Sequence, residues 1–316
     1  MSVRTTSNSY FLSGVLFALA GAICFSTKAI FVKLAYFNTT VDAVTLLGLR
    51  MIFSLPFFVV SAIVSSHQRD NIRFTSAQWV SIAFVGCIGY YVSSLLDFLG
   101  LQYVSAGIER LILFIYPTLV VIISSVVFKV KIKLYQWLAI LITYGGLLLA
   151  FWGEVEFDNY KPDFYKGALF IFACAITYAI YIVGSGRIIP QVGASKFNSY
   201  AMSFACVAVV IHFLVANGPQ SLFDMEPKVY VYSFSMAILG TVIPSYLVTA
   251  GIKRIGSDNA AIIGSIGPVS TIIQAYFFLD EPILALQLVG TGLILVGVLM
   301  IGRKPDKTIV TPETTN

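Results

Sequence analysis

Ten stretches of mostly apolar residues, each closed by a polar or charged interruption, run through this chain of 316 residues. A helix rising about 1.5 Å per residue needs about 20 such residues to cross a bilayer. The stretches lie at 11–35, 42–65, 79–101, 105–127, 134–153, 164–185, 197–217, 229–251, 257–279 and 284–302. With 58% hydrophobic and only 11% charged residues, the chain is too apolar to present a solvated surface. The expected fold class is therefore all-α integral membrane, with ten transmembrane helices. The first stretch is longer than the apolar core of a signal peptide and lacks a small-residue cleavage site, so it reads as a retained span.

The four cysteines, Cys24, Cys87, Cys174 and Cys206, all fall inside spans, and none forms a C-x-x-C pair that holds metal or runs redox chemistry. The formal charge of +5 is distributed unevenly. With the N-terminus in the cytoplasm, thirteen of the 20 lysines and arginines fall on the inner side and three, Lys161, Lys166 and Lys228, on the outer. That positive-inside bias predicts a multi-pass protein of the cell membrane with both termini cytoplasmic, and it explains the basic excess without nucleic acid. Trp79, Trp137 and Trp152 lie near span ends, where an indole favours the headgroup region.

The sequence repeats. A shift of 151 residues aligns Gly100 with Gly251, Pro117 with Pro268, Gln136 with Gln287 and Gly146 with Gly297. A shift of 153 aligns GVLFALAGAICF from Gly14 with GALFIFACAITY from Gly167, bringing Phe25 onto Tyr178. Two five-helix repeats follow, at 1–152 and 167–302, joined by an external linker at 153–166 and followed by a cytoplasmic tail at 303–316. Five is odd, so the second repeat enters the membrane from the opposite side: the repeats are inverted. Basic KVKIK at Lys129 to Lys133 and its acidic counterpart DEPIL at Asp280 to Leu284 agree with that inversion. Inverted repeats suit alternating access, with a site where the halves meet near the midplane.

The segment QYVSAGIERLILFIYPTLVVI and its partner KRIGSDNAAIIGSIGPVSTII followed by FLDEPI, set in this ten-span order, resemble the EamA-type branch of the drug/metabolite transporter superfamily. The resemblance covers residues 11–302. It implies export or exchange of small metabolites, commonly amino acids and related compounds, through a central cavity. Lys33 matches a basic residue that often ends the first helix of that family, Arg50 in GLRMIF an arginine often found in the second, and Asp280-Glu281-Pro282 its glycine-glutamate turn. KVKIK, Lys28 and Glu109-Arg110 depart from the family pattern.

Six ionisable residues fall within spans, all in the first repeat: Lys28, Lys33, Arg50, Asp97, Glu109 and Arg110. Charges inside a membrane usually face a cavity or one another. Helix direction places all six in the outer half of the bilayer. Their excess of two positive charges favours an anionic group, and arginine suits a carboxylate through its planar fork. Arg50, Lys28 and Arg110, with Tyr116, Tyr181 and Tyr246, are the candidate substrate-binding residues. Glu109 and Asp97 are the candidate coupling or ion-pair residues. Adjacent helical side chains point about 100° apart, so Glu109 and Arg110 are expected to find partners elsewhere rather than in each other. The competing reading makes Glu109 and Arg110 interfacial, Lys33 a snorkelling residue, and Arg50 a structural partner of Asp97 or Asp42.

Pro117 and Pro268 occupy equivalent mid-helix places and are the candidate helix breaks, freeing the carbonyls of Leu113 and Gly264. Pro56 and Pro244 read as simple kinks, and His212 as a satisfied polar residue. No Walker A, H-E-x-x-H or nucleophile–histidine arrangement occurs, so neither ATP-driven transport nor an enzyme is expected, and no metal or cofactor is implied. The expected function is a secondary transporter, an exporter or exchanger, of a small polar metabolite bearing a carboxylate, such as an amino acid. An anionic sugar or nucleotide-type solute and a non-transporting receptor or assembly factor are the alternatives. The expected partners are the small-molecule substrate and the lipid bilayer, and the sequence allows a homodimer.

Overall fold

The computed structural model describes residues 8–67, 73–129, 132, 134–157, 163–264 and 266–302. Arg4, Arg69, Lys131, Lys133, Lys161 and the tail at 303–316, all used in the charge argument, lie outside them. The described residues form helices α1 (Asn8–Asn38), α2 (Ala43–Ser66), α3 (Ser76–Gly86), α4 (Ser93–Gly100), α5 (Ala106–Leu113), α6 (Tyr116–Phe128) and α7 (Leu134–Phe157). They continue through α8 (Phe164–Val192), α9 (Ala194–Asn217), α10 (Pro227–Ala237), α11 (Ile243–Gly264), α12 (Gly267–Leu279) and α13 (Ala285–Gly302). π-helical stretches at Cys87–Val92 and Ile238–Val242 join α3 to α4 and α10 to α11. Among the described residues seven helical segments are long and apolar enough to cross a membrane, and Leu134–Ala150, Gly267–Leu279 and Ala285–Met300 are shorter apolar helices.

Backbone irregularities recur at the interval of 151 seen in the sequence. The two π-stretches begin at Cys87 and Ile238, and α6 and α12 begin at Tyr116 and Gly267. Among the described residues the positive-φ residues other than glycine, Lys129 at 54° and Asp280 at 53°, end those two helices. Contacts recur reciprocally as well. Gly89 lies against Tyr181 and Gly240 against Lys28; Gly100 lies against Ile171 and Gly251 against Ala18; Gly146 meets Gly290 and Gly297 meets Ala139. Correspondingly, α1 packs on α10, α11 and α12, whereas α8 packs on α3, α4, α5 and α6, and like meets like in α2 with α9 and α7 with α13. Each segment thus buries its first helix against the other, an arrangement that a local two-fold relation generates.

Several element boundaries differ from the sequence reading, and α8 runs on to Val192 rather than ending at 185. α7 continues to Phe157, because Gly153 alone interrupts it and no proline follows before Pro162. Pro117 and Pro268 do not kink continuous helices. Each sits in the first turn of a new one, where the missing N–H costs nothing. The carbonyls brought into side-chain hydrogen bonds there are those of Ile115, from Thr118 Oγ1, and Gly267, from Ser26 and Thr271. Finally, helical backbone continues through 252–256, where the sequence reading separates two spans. The chain nevertheless reverses. Gly240 lies at Lys28, Ile255 at Gly14, and the Gly267 carbonyl is back at Ser26, so the direction along α1 changes between 255 and 267.

Proline does not account for the π-stretch at Cys87–Val92, which has none; Pro56 lies inside α2 without ending it. A π-stretch widens the helix by one residue and turns side chains towards new neighbours. Here they are Tyr90 and Tyr91 in one stretch and Thr241 in the other, all three engaged in the polar contacts described next.

Candidate functional site

The first-repeat charges converge where α1, α4, α5 and α12 meet. Lys28 Nζ lies 2.6 Å from Asp97 Oδ2 and 3.7 Å from Glu109 Oε1, and Arg110 Nε lies 3.7 Å from Glu109 Oε2. The carboxylates are sealed, Asp97 at 1% and Glu109 at 0% exposure, while the two cations keep 14% of their side chains open. Two positive and two negative groups balance, which removes the main cost of burying charge in an apolar medium. Arg110 is fixed further: its Nε donates to Thr271 Oγ1 at 3.2 Å and its Nη2 to the Phe25 carbonyl at 3.3 Å. Among the described residues both oxygens of Glu109 and Oδ1 of Asp97 lack hydrogen-bond partners.

This corrects one expectation and answers another. Glu109 and Arg110 do contact each other, at 3.7 Å, and Glu109 also shares Lys28 with Asp97. The interfacial reading of Glu109 does not describe a fully buried carboxylate. Lys33 donates to the carbonyls of Leu101 and Val104 at 3.2 and 2.9 Å, at the C-terminal end of α4, where a cation stabilises the helix. Asp42 caps α2, accepting from the amides of Val44 and Thr45.

Arg50 stands apart from the ion cluster. It is 6% exposed, its Nε donates to Thr241 Oγ1 at 3.0 Å, and its guanidinium lies 5.5 Å from the centre of the Phe98 ring. Nη1 of Arg50 has no hydrogen-bond partner. A pair with Asp42 is replaced by the capping role of that residue, and Thr241 on the second π-stretch supplies the contact instead.

The tyrosines divide. Tyr116 packs edge-on against Tyr178, Tyr178 stacks on Tyr181, and the Tyr181 hydroxyl lies 2.8 Å from that of Tyr90, which donates to Asn198 Oδ1 at 2.8 Å. Tyr246 makes no ring contact in this series; it lines a cavity that Asn198 also borders, 45% exposed, with its hydroxyl on the Phe57 carbonyl. His212 is satisfied by the Tyr91 hydroxyl at 3.0 Å. Sequence reasoning missed Thr241, Thr271 and Asn198, which are single polar residues in apolar helices and identifiable only through their partners. It also missed the bridge from Glu281, whose carboxylate accepts from the α5 amides of Ala106 and Gly107 at 3.0 and 3.4 Å.

The chain matches the model of the EamA-like transporter family over residues 12–152 and 165–303. It belongs to that family. Family membership accounts for the apolar helices and for two matched segments in one chain. The chain is 32% identical over 288 residues to a protein of Bacillus subtilis described as the uncharacterized transporter YcbK, covering 89% of each. It is 25% identical to the uncharacterized transporter YyaM of the same organism, covering 84% of each. A solved crystal structure aligns over 92% of this chain and 96% of its own with a TM-score of 0.60 at 17% identity, a likeness in fold alone.

Proposed function

We propose that this EamA-like transporter is a secondary exporter or exchanger of a small metabolite bearing one carboxylate, an amino acid or a similar compound. On this reading the chain crosses the cell membrane ten times as two inverted five-helix repeats, with both termini cytoplasmic, and alternates access by rocking one repeat against the other. The observation that carries the substrate class is the charge balance of the buried groups. Lys28 and Arg110 are matched by Asp97 and Glu109, Lys33 is engaged by backbone carbonyls, and Arg50 keeps an unpartnered guanidinium nitrogen. Of these four cations only Arg50 keeps a buried nitrogen open to an acceptor, which suits the planar fork of one carboxylate. That favours the amino-acid class.

Glu109 has a separate role in this proposal. Glu109 lies within 3.7 Å of both Lys28 and Arg110 and so links the Lys28–Asp97 pair to Arg110, which suits a group that couples substrate movement to rearrangement of the ion cluster. Mass spectrometry of the medium from expressing cells tests both points, with Arg50→Ala and Glu109→Gln at matched membrane levels. A carboxylated metabolite should accumulate with the wild-type protein and with neither variant. Equal accumulation with both variants would remove these residues from the mechanism, and no accumulation at all would favour a non-transporting role.

A further inference from the structure

The groups around Arg50 follow a line of their own. Arg50, Ser54, Phe58 and Ser61 recur along α2 at spacings that place them on one helical face. At the head of the line two buried polar groups lack hydrogen-bond partners, Nη1 of Arg50 and Oγ of Ser54. Ser54 is 0% exposed and sits one turn beyond Arg50. An unsatisfied buried polar group costs about 1–3 kcal/mol, and more when charged. Two such groups one turn apart on the same face are therefore a costly arrangement that acceptor oxygens of a ligand would relieve.

At the other end of the line lies a small, partly open cavity of about 20 Å³, lined by Ser61, Ser195, Asn198, Ser199, Ser245 and Tyr246 with Phe58 at its wall. The Ser61 and Ser199 hydroxyls share a hydrogen bond of 2.8 Å, and Asn198 joins the cavity to Tyr90. Its lining residues carry no charge, so it offers hydrogen bonds without holding an anion. Phe58, 1% exposed, occupies the position on α2 between the cavity and Ser54.

We propose that Arg50 Nη1 and Ser54 Oγ together form the seat of the substrate carboxylate, reached from the serine-lined cavity when the Phe58 ring moves aside. The inference rests on the carboxylated-substrate reading above and adds Ser54 as a binding residue and Phe58 as the barrier. The ligand it implies carries its carboxylate on a body small and polar enough to pass a hydroxyl-lined vestibule.

The test uses Ser54→Cys in the full-length protein with Cys24, Cys87, Cys174 and Cys206 replaced by alanine, labelled in membrane vesicles with anionic sulfonatoethyl and cationic trimethylammonioethyl methanethiosulfonate. Adding Phe58→Ala should accelerate both reagents. The preference for the anionic reagent, relative to a free thiol, should fall by about tenfold when Arg50→Gln removes the local positive potential. A cysteine at 54 that stays unreactive beside Phe58→Ala, or an anion preference that survives Arg50→Gln, overturns the site. Efflux measured in parallel separates the two levels. Carboxylate export that Ser54→Ala leaves unchanged sinks only this inference, whereas a wild-type protein that exports no carboxylate sinks the transport reading on which it rests.

Discussion

Lys28 on α1 and Tyr181 on α8 stand 153 residues apart and occupy equivalent places, each with its backbone or ring against a glycine of a π-stretch, Gly240 and Gly89. Their surroundings differ completely. Lys28 gathers two carboxylates, whereas Tyr181 gathers the hydroxyl of Tyr90 and the rings of Tyr178 and Phe197. The same substitution pattern runs on: Thr241, which holds Arg50, is the counterpart of Tyr90, which holds Asn198. One backbone frame thus carries an ionic network on one side and a neutral aromatic one on the other. Repetition dictates where helices break and touch, and leaves the chemistry at those points free to diverge.

The comparison predicts a ranked set of losses. Lys28→Ala should be the most damaging, since it leaves Asp97 and Glu109 buried beside a missing cation, a loss of about 3–5 kcal/mol. Thermal unfolding in detergent would show it, and Lys28→Met combined with Asp97→Asn should recover most of it. If Lys28→Ala unfolds like the wild-type protein, the ion cluster is not what holds this side together. Gly89→Ala comes next, because an added methyl overlaps the Tyr181 ring, with overpacking of about 1–3 kcal/mol and a lower melting temperature.

Smaller effects sharpen the contrast. Gly240→Ala should cost well under the Gly89 substitution, since the added carbon would sit 3.3 Å from the Lys28 Cα rather than inside a ring. Equal losses at the two glycines would contradict the inequivalence described here. Tyr181→Phe removes one hydroxyl from a hydrogen-bonded pair and should cost about 0.6 kcal/mol, typical of side-chain hydrogen bonds within membranes. A loss comparable to that of Lys28→Ala would mean that the tyrosine side is as strongly coupled as the ionic one.

Much of the framework was legible in the sequence, for identifiable reasons. Apolar runs of membrane length have few alternative uses, and the equivalence of Pro117 and Pro268 shows in their spacing of 151, although both read as mid-helix breaks and instead lie in the first turns of α6 and α12. That the six ionisable residues would face one another was legible for Lys28, Asp97, Glu109 and Arg110, since charges in apolar helices need counter-charges, but not for Lys33 and Arg50, which turn to carbonyls and to Thr241. The pairing itself was not. Helical spacing argues against a Glu109–Arg110 contact, and the long side chains of these neighbours nevertheless approach to 3.7 Å. The π-stretches left no sequence mark, as CIGYYV and ILGTV share only a glycine at the equivalent place, so Tyr90 and Thr241 had no visible claim to a common role. The separation of Arg50 from the ion cluster was hidden for the same reason, because its partner Thr241 lies in the other repeat.

The most direct measurement is efflux from liposomes reconstituted with the purified protein and loaded with an equal mixture of neutral, acidic and basic amino acids, simple monocarboxylates, and matched amines and alcohols lacking a carboxylate. The account predicts that one or more monocarboxylated solutes leave much faster than from protein-free liposomes, and that Arg50→Ala abolishes the difference. Faster release of the amines or alcohols alone, or carboxylate efflux unaffected by Arg50→Ala, would contradict it.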